Sequence, residues 1–234
     1  SVFSGLQNQK WIEMTPFRDI YESAILFRGT SEIESLNCDP KPDQELRSMS
    51  DNEFLSLMSR RIFRAGLKHS MVDAKWPVFE QVFSRFDIHR VSAMSDEDLD
   101  LLMKDKRIIR HWNKIKSVRF NAQAMVGLLE NSDGFGRFLA DWPVDNIVGL
   151  WLELKKHFAQ LGGNSAPYFL RMSGKDTFLL TNDVIRALNR WGAYQGEPKS
   201  QKARLVVQEC FNTWKQESNK PMCQISIILA LSVQ

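Results

Sequence analysis

The stretch 104–119 concentrates positive charge and is the first place where the sequence suggests chemistry. It reads KDKRIIRHWNKIKSVR and sets seven cations against a single acid, Asp105. A turn at His111–Asn113 between two helical segments would place Arg110 and Lys114 along one basic rim. Such a rim suits phosphate groups, which proteins neutralise through salt-sensitive contacts. A basic helix face that only meets solvent is the competing interpretation, because most charge runs have that role.

A second candidate consists of Gly162, Gly163, Asn164 and Ser165. Two glycines directly before a helix expose backbone N–H groups at the positive end of that helix, where phosphate binds. A plain turn between two helices gives the same residues, and the glycine pair alone does not distinguish the two.

A third candidate consists of Thr181, Asn182 and Asp183, which precede a helix beginning near Val184. All three residue types are preferred helix N-caps, so capping is the interpretation that spacing alone favours. The chemical alternative is that Asp183 supplies a carboxylate directed at a cleft.

Helices must position these candidates, since apolar residues recur mostly at three- and four-residue steps. Ser50–Glu53 reads as a capping box, Ser95–Asp98 opens a second helix, and another runs from about Trp112 to Met125. Further helices are predicted over about 16–28, 76–84, 145–159, 164–173, 180–192, 199–217 and 222–233.

Strand signals are nearly absent from the sequence. Phe178–Leu180 is the one short apolar run that would suit a strand, and it is too short to anchor a sheet. The sequence therefore predicts an all-α protein of about ten short helices. We expect a single domain of two helical lobes, one over about 44–130 that carries the basic rim and one built from 1–43 and 131–234.

The composition of the 234 residues excludes several classes of protein. With 43% hydrophobic and 25% charged residues, the chain is too apolar to be disordered. Three cysteines without a CxxC pair argue against a secreted disulfide framework. No apolar run reaches the ~20 residues of a membrane span, and the first residues lack the order of a signal peptide. We expect a cytoplasmic monomer without a membrane partner, whose net charge of +3 arises from the basic rim.

Several short motifs follow one another between Phe54 and Met125. They are Arg64–Leu67, Val78–Glu80, Phe86–Asp87, Arg107–His111, Lys114–Ile115 and Asn121–Ala122. With the later Leu161–Gly163 and Asn182–Arg186, they resemble the 3-methyladenine DNA glycosylase I family, a branch of the helix-hairpin-helix DNA glycosylases. The resemblance covers about 11–190, and the residues beyond have no counterpart in the short members of that family.

The resemblance implies a DNA-repair glycosylase that needs no cofactor and acts at the bacterial nucleoid. Its partner would be duplex DNA containing damaged bases, from which it would remove alkylated purines such as 3-methyladenine by hydrolysing the N-glycosidic bond. Such an enzyme must flip the nucleotide out of the stack to reach that bond. The resemblance further implies a bilobal all-α fold with the base pocket between the lobes. No lysine stands out as placed for Schiff-base chemistry, so we expect base removal without strand cleavage.

The resemblance also assigns roles to residues of the pocket and of the DNA-contacting loops. Trp11 and Tyr21 match aromatic residues that stack on the flipped base, although packing in a core is the competing interpretation of both. Gly66 and Leu67 match a loop that inserts an apolar wedge into the duplex. Gly162–Ser165 match the hairpin that binds the DNA backbone.

Asp183 lies near the position where the superfamily keeps a catalytic aspartate. A carboxylate there would stabilise the positive charge that develops on the sugar and would orient a water molecule. The alignment leaves Thr181 and Asn182 as alternatives for the same position.

Two pocket residues depart from the pattern of the family. Arg61 replaces the glutamate that hydrogen-bonds the damaged base, and His69 replaces a stacking tryptophan. Because a guanidinium repels a cationic base, we expect Arg61 to pair with an acid such as Glu22 or to face phosphate. If Arg61 lines the pocket, the preferred lesion is neutral or is read at an acceptor atom. A non-catalytic DNA-binding relative remains an alternative hypothesis, and a helical interaction protein without nucleic acid is a third.

The zinc site of the family has lost its ligands in this sequence. Its four positions carry Gln9, Glu22, Val184 and Leu188, which offer zinc neither thiolate nor imidazole. We therefore expect no metal. The C-terminal helices would close the fold by packing instead, with the apolar residues Leu205, Val206, Phe211, Trp214, Ile225, Ile228 and Leu229 as core.

Overall fold

The computed structural model describes residues 13–36 and 38–234. These residues form helices, turns and loops, and no β-strand occurs among them. The chain divides into two compact units. The central unit spans Cys38–Leu179, and the terminal unit comprises the described residues of Ser1–Asn37 and Leu180–Gln234. The all-α class predicted from the sequence is confirmed.

The described residues contain fourteen α-helices, more than the ten or so predicted. In chain order they are α1 (Phe17–Arg28), α2 (Thr30–Glu34), α3 (Asp43–Ser48), α4 (Asp51–Arg64), α5 (His69–Val82), α6 (Ile88–Ser92), α7 (Asp96–Leu102), α8 (Trp112–Leu129), α9 (Phe135–Asp141), α10 (Ile147–His157), α11 (Ser165–Ser173), α12 (Asn182–Arg190), α13 (Gln201–Ser218) and α14 (Met222–Leu231). Short 3-10 turns lie at Ser84–Phe86 and Val144–Asn146. Within the described part of the chain, no helix combines the length and apolar character that a membrane span requires.

Side-chain caps fix the starts of two central helices. Ser50 and Glu53 form the predicted capping box at α4, where Ser50 Oγ accepts from the Glu53 N–H at 3.2 Å. Ser95 and Asp98 form a second box at α7. Each box satisfies N–H groups that the first helical turn leaves unpaired, which is why the spacing of these residues identifies the helix starts.

Helix α5 begins earlier than the sequence predicts. It starts at His69 rather than near 76 and contains Pro77 in its interior. Proline lacks an N–H group and disfavours a helix interior. Helix α5 continues through it because Val72, Trp76 and Phe79 are all buried, so packing outweighs the local preference.

The boundary between the units differs from the predicted lobe boundary near residue 130. Residues 131–179 belong to the central unit, because α9 packs against the beginning of that unit. The rings of Phe135 and Phe54 lie 5.3 Å apart. Gly136 lies so close to Leu46 that a Cβ atom would fall 2.1 Å from the carbonyl oxygen. A contact of this kind joins residues distant in the chain, and local spacing does not predict it.

The terminal unit has its own core, built mainly by α1, α12, α13 and α14. Phe211 and Trp214 are fully buried there, and the Trp214 indole N–H donates to the Thr15 carbonyl at 3.0 Å. The predicted core residues Leu205 and Val206 are instead 44% and 46% exposed. They lie on the outer face of α13, which the helical spacing alone did not distinguish from its inner face.

Candidate functional site

The loop between α4 and α5 contains the predicted wedge residues. Gly66 is exposed and has φ +76°, a left-handed conformation that residues with a Cβ rarely adopt. A Cβ atom on Gly66 would meet no other atom within 4 Å. The backbone conformation, rather than a lack of space, therefore favours glycine at this position. The N–H of half-buried Leu67 donates to the Arg64 carbonyl at 3.1 Å, which tightens the turn.

Lys114 is not on the exposed basic rim, in contrast to the prediction. Its side chain is buried, and Nζ donates to the carbonyls of Ala65 at 2.6 Å and Phe63 at 3.2 Å. These carbonyls lie at the end of α4, where a cation complements the helix dipole. Burial lowers the pKa of Lys114, and the nearby Arg61 lowers it further. Lys114 therefore holds the loop that carries Gly66 and is unavailable to a phosphate.

Arg61 lies one turn before that loop, and its guanidinium contacts an aromatic ring rather than a carboxylate. Its guanidinium lies over the ring of Tyr168, 4.4 Å from the centroid. Its Nε is buried without a hydrogen-bond partner among the described residues, and no described carboxylate of the central unit forms an ion pair with it. Burial lowers the pKa of Arg61, the Tyr168 hydroxyl opposes this shift, and Arg64 adds to it. Within the described central unit Arg61 therefore has no acid partner. The prediction that it faces a phosphate stays open, and Glu22, the acid that the prediction names, belongs to the terminal unit.

The two arginines on either side of Arg61 share one carboxylate, that of Asp73. Arg60 Nε lies 3.0 Å from Asp73 Oδ1, and Arg64 Nη2 lies 2.8 Å from Asp73 Oδ2. Despite partial desolvation, these hydrogen bonds hold the pKa of the Asp73 carboxyl below its ordinary value. The end of α4 consequently carries net positive charge. Arg61 and Lys114 have no ion pair with a described carboxylate of the central unit, and Arg60 with Arg64 exceeds the charge of Asp73 by one.

The rest of the basic stretch divides into paired and unpaired cations. Arg107 binds Asp105 at 2.8 Å, which lowers the pKa of that carboxyl to about 2. Arg119 binds Asp96 at 2.9 Å. Four cations are exposed without an ion pair to a described carboxylate, namely Lys104, Lys106, Arg110 and Lys116. Of the two cations predicted on the basic rim, Arg110 is exposed and Lys114 is buried.

Helices α10 and α11 flank the predicted phosphate-binding turn. Gly162 and Gly163 are exposed, and Gly163 has φ +59°. The Ser165 N–H donates back to the Gly162 carbonyl at 3.1 Å, and the Ser165 side chain is buried. Asn164 precedes α11 without capping it through its side chain. Helix, exposed glycine turn and helix together form a helix-hairpin-helix arrangement within the central unit.

Asn121 positions this hairpin, and the sequence analysis did not assign it a role. Its amide group is fully buried and binds Ala159 in both directions. Nδ2 donates to the Ala159 carbonyl at 3.2 Å, and Oδ1 accepts from the Ala159 N–H at 2.7 Å. The available signal was a polar residue on the buried face of α8, between Val118 and Ala122. Helix α8 thus holds the 65–68 loop through Lys114 and the hairpin through Asn121.

The start of α12 resolves which of the three candidate residues is the cap. Thr181 Oγ1 accepts from the Val184 N–H at 3.3 Å, so Thr181 is the N-cap. Asn182 and Asp183 are exposed in the first turn. Asp183 Oδ1 accepts from Arg186 Nη2 at 2.5 Å, and its side chain keeps 57% of its surface exposed. The Asp183 carboxylate is therefore accessible and plays no part in capping.

The remaining pocket predictions fall in different places. Tyr21 is half-buried, and Lys220 lies over its ring at 5.4 Å from the centroid. His69 is exposed at the start of α5. Trp11 lies outside the described residues. Of the four positions predicted to match the zinc ligands of the family, Val184 and Leu188 are buried core residues of the terminal unit. The described residues contain no group of three or more His, Cys, Asp or Glu side chains placed to hold a metal.

Solved structures share this arrangement of helices. The 8-oxoguanine DNA glycosylase of Thermotoga maritima aligns with a TM-score of 0.53 at 15% identity, over 91% of this chain and 95% of that one. The Methanocaldococcus jannaschii 8-oxoguanine glycosylase/lyase, solved with a DNA 15mer containing 8-oxoguanine, also scores 0.53, at 13% identity over 90% of this chain and 93% of that one. A variant of 3-methyladenine DNA glycosylase I from Staphylococcus aureus scores 0.50 at 21% identity, over 65% and 90%. The fold is that of the helix-hairpin-helix DNA glycosylases.

Sequence comparison gives a similarity to one family. The model of the methyladenine glycosylase family matches residues 46–159, which are 114 of the 234 residues. The DNA-3-methyladenine glycosylase 1 of Escherichia coli is 36% identical over 76 residues. That match spans 32% of this chain and 41% of the Escherichia coli enzyme, less than half of its length.

Proposed function

We propose that this protein is a DNA glycosylase that removes alkylated purines of the 3-methyladenine kind from duplex DNA. The observation that carries the proposal is the double attachment of α8, which holds the loop at Gly66 through Lys114 and the glycine hairpin through Asn121. A base-flipping enzyme needs a wedge and a backbone contact held in a fixed relation, because unstacking a nucleotide costs free energy that rigid contacts must offset.

The two loops would have different roles on the duplex: the glycine hairpin would bind the DNA backbone, and the loop at Gly66 would insert into the base stack. The N–H groups of the exposed Gly162 and Gly163 would bind a phosphate near the start of α11, where the helix dipole favours an anion. Arg110 on the basic rim would add salt-sensitive attraction to the backbone. Leu67, which follows Gly66 in the turn, would enter the space that the flipped nucleotide leaves.

Asp183 would supply the chemistry of bond cleavage. An alkylated cationic purine is already a good leaving group, so the enzyme has to stabilise the positive charge that develops on the sugar and to orient a water molecule. An exposed carboxylate that is not used as a helix cap suits both tasks. The ion pair with Arg186 would keep the side chain of Asp183 oriented.

The experiment that tests the proposal measures release of free base from methylated duplex DNA by the purified protein. We expect 3-methyladenine or 7-methylguanine to appear in the supernatant with turnover, and no strand cleavage before alkaline treatment. If no alkylated or deaminated duplex yields free base although the protein is folded and binds DNA, the proposal is wrong.

One observation favours a second candidate, a DNA-binding relative without turnover. Arg61 bears a positive charge that no described carboxylate of the central unit neutralises, and it replaces the base-binding glutamate of the family. In that case duplex binding would persist, salt would weaken it, and base release would be zero for every lesion. A measurable turnover number on any one lesion rejects this candidate.

A further inference from the structure

We propose that a groove between α8 and the hairpin binds one unpaired nucleotide of a DNA strand. The proposal rests on the proposed function for its ligand, DNA, but concerns a site separate from the wedge loop and from Asp183. The groove has a volume of about 360 Å³. Its lining consists of Asn113, Lys116, Ser117, Arg119, Phe120, Gln123, Ala159 and Gln160.

The walls of the groove are fixed relative to one another. Lys116 and Phe120 lie one turn apart on α8 and face the groove together. The opposite wall is the backbone at Ala159 and Gln160, which the two hydrogen bonds of Asn121 attach to the same helix. Gln160 has φ +64°, a conformation uncommon for a residue other than glycine and often found at functional sites. The groove is therefore a built feature of the central unit.

The charges of the groove favour an anion. Its lining contains Lys116 and Arg119 and no carboxylate. Arg119 already binds Asp96 and the Met94 carbonyl. Lys116 has no ion pair with a described carboxylate, and its ammonium lies 6.0 Å from the centroid of the Trp112 ring. One cation is thus available to a phosphate.

The other lining groups suit a nucleobase. The ring of Phe120 is 52% exposed, although a Phe ring is normally buried. Exposed amides at Asn113 and Gln160 can donate to and accept from a base edge. A cation beside an exposed aromatic ring is the combination by which proteins bind single-stranded DNA. The volume lies at the small end of ligand pockets and suits one nucleotide rather than an oligonucleotide.

The location of the groove explains how a DNA strand would reach it. Gln160 is two residues from Gly162, the first glycine of the phosphate-binding turn. A strand held at that turn passes next to the groove, so an unpaired nucleotide beside a lesion can stack on Phe120 while its phosphate meets Lys116.

The test compares two fluorescent duplexes by anisotropy, one blunt and one with the same sequence plus a single-stranded extension at one end. Both the 3′ and the 5′ extension are used. We expect the wild-type protein to bind an extended duplex more tightly, and Phe120→Ala and Lys116→Ala each to weaken that binding about five- to tenfold. Binding of the blunt duplex should change less than about twofold, and Phe120→Trp should restore the preference.

Matched controls are Leu205→Ala and Lys202→Ala, which remove an exposed apolar and an exposed basic side chain from α13. Both should behave as wild type. Equal binding of blunt and extended duplexes by the wild-type protein, or equal losses on both duplexes in the two groove variants, overturns the proposal. Base release from methylated DNA is measured separately, so a protein that prefers the extension but releases no base supports the groove and refutes the proposed glycosylase activity.

Discussion

The start of α12 and the end of α4 both carry charged groups predicted to act on DNA, but in opposite surroundings. At α12, Thr181 makes the cap and Asp183 remains 57% exposed on its side chain. At α4, Lys114 is buried against two carbonyls, and Arg61 is half-buried against Tyr168. The carboxylate at the start of α12 is therefore exposed to solvent. At the end of α4, Lys114 holds the backbone and Arg61 is partly desolvated.

This difference shows two roles for charged residues in the segments predicted to act on DNA. An exposed group such as Asp183 is available to a ligand, and a buried group such as Lys114 holds the backbone. Removing an exposed carboxylate such as Asp183 deletes a chemical group and leaves the fold intact. Removing a buried cation such as Lys114 leaves carbonyl groups without donors, which costs stability as well as function. Substitutions at the two regions should therefore separate these effects.

The largest effect is expected for Asp183→Asn. If Asp183 acts as proposed, base release should fall about 10³-fold, because the variant loses a charge that stabilises the transition state. The free energy of unfolding should change by less than about 0.5 kcal/mol, since the residue is exposed and makes only a surface ion pair. Single-turnover base release and urea unfolding measure the two quantities.

The matched control is Asp19→Asn, which neutralises an exposed carboxylate in the first turn of α1. Its base release should equal that of the wild-type protein. If Asp183→Asn releases base at the wild-type rate, the catalytic assignment is wrong.

Lys114→Met should have the next largest effect. Two carbonyls lose their donor, so the free energy of unfolding should drop by about 2–3 kcal/mol. The loop at Gly66 should also lose its fixed position, and base release per folded molecule should fall about tenfold.

Lys175→Met provides the control for this substitution. Lys175 is also buried, and its Nζ donates to the carbonyls of Trp142 at 2.5 Å and Ala140 at 3.4 Å. A similar loss of stability with unchanged base release per folded molecule is expected. Equal losses of base release in both variants would mean that Lys114 has a purely structural role.

Arg61→Gln should change lesion preference more than rate. Loss of the guanidinium removes repulsion toward a cationic base, so the ratio of 7-methylguanine to hypoxanthine release should rise about tenfold. Arg60→Gln, one position earlier and paired with Asp73, should leave this ratio unchanged. A constant ratio in Arg61→Gln would show that its charge does not reach the base. Competition between the two lesions in one duplex mixture measures the ratio directly.

Thr181→Ala should have the smallest effect. Loss of the cap at α12 should lower the free energy of unfolding by about 1 kcal/mol. Ser200→Ala should do the same at α13, where Ser200 Oγ accepts from the Ala203 N–H at 3.1 Å. Neither variant should lose base release per folded molecule. A large loss in Thr181→Ala alone would move the catalytic assignment from Asp183 to Thr181.

The sequence predicts the capped helix starts and the glycine turns of this protein, because those features are local. It misses the start of α5, which has no side-chain cap. The box at Ser50–Glu53 and the glycines at Gly66 and Gly163 follow from the chemistry of single turns. The burial of Lys114 and the contact between Arg61 and Tyr168 join residues about 50 and 100 positions apart. A sequence pattern predicts neither of these long-range contacts. In the sequence, the buried Lys114 cannot be distinguished from the exposed cations of the same basic stretch.

Helix α8 couples the opening of the two predicted DNA-contacting loops, the loop at Gly66 and the glycine hairpin. Lys114 and Asn121 are seven residues apart, or about 10 Å along the helix axis. Neither the carbonyl of Ala65 nor the backbone of Ala159 can leave its position without breaking a hydrogen bond to this helix. The two loops should therefore open together, as one cooperative unit with α8, and exchange their protected amide hydrogens on the timescale of that shared opening.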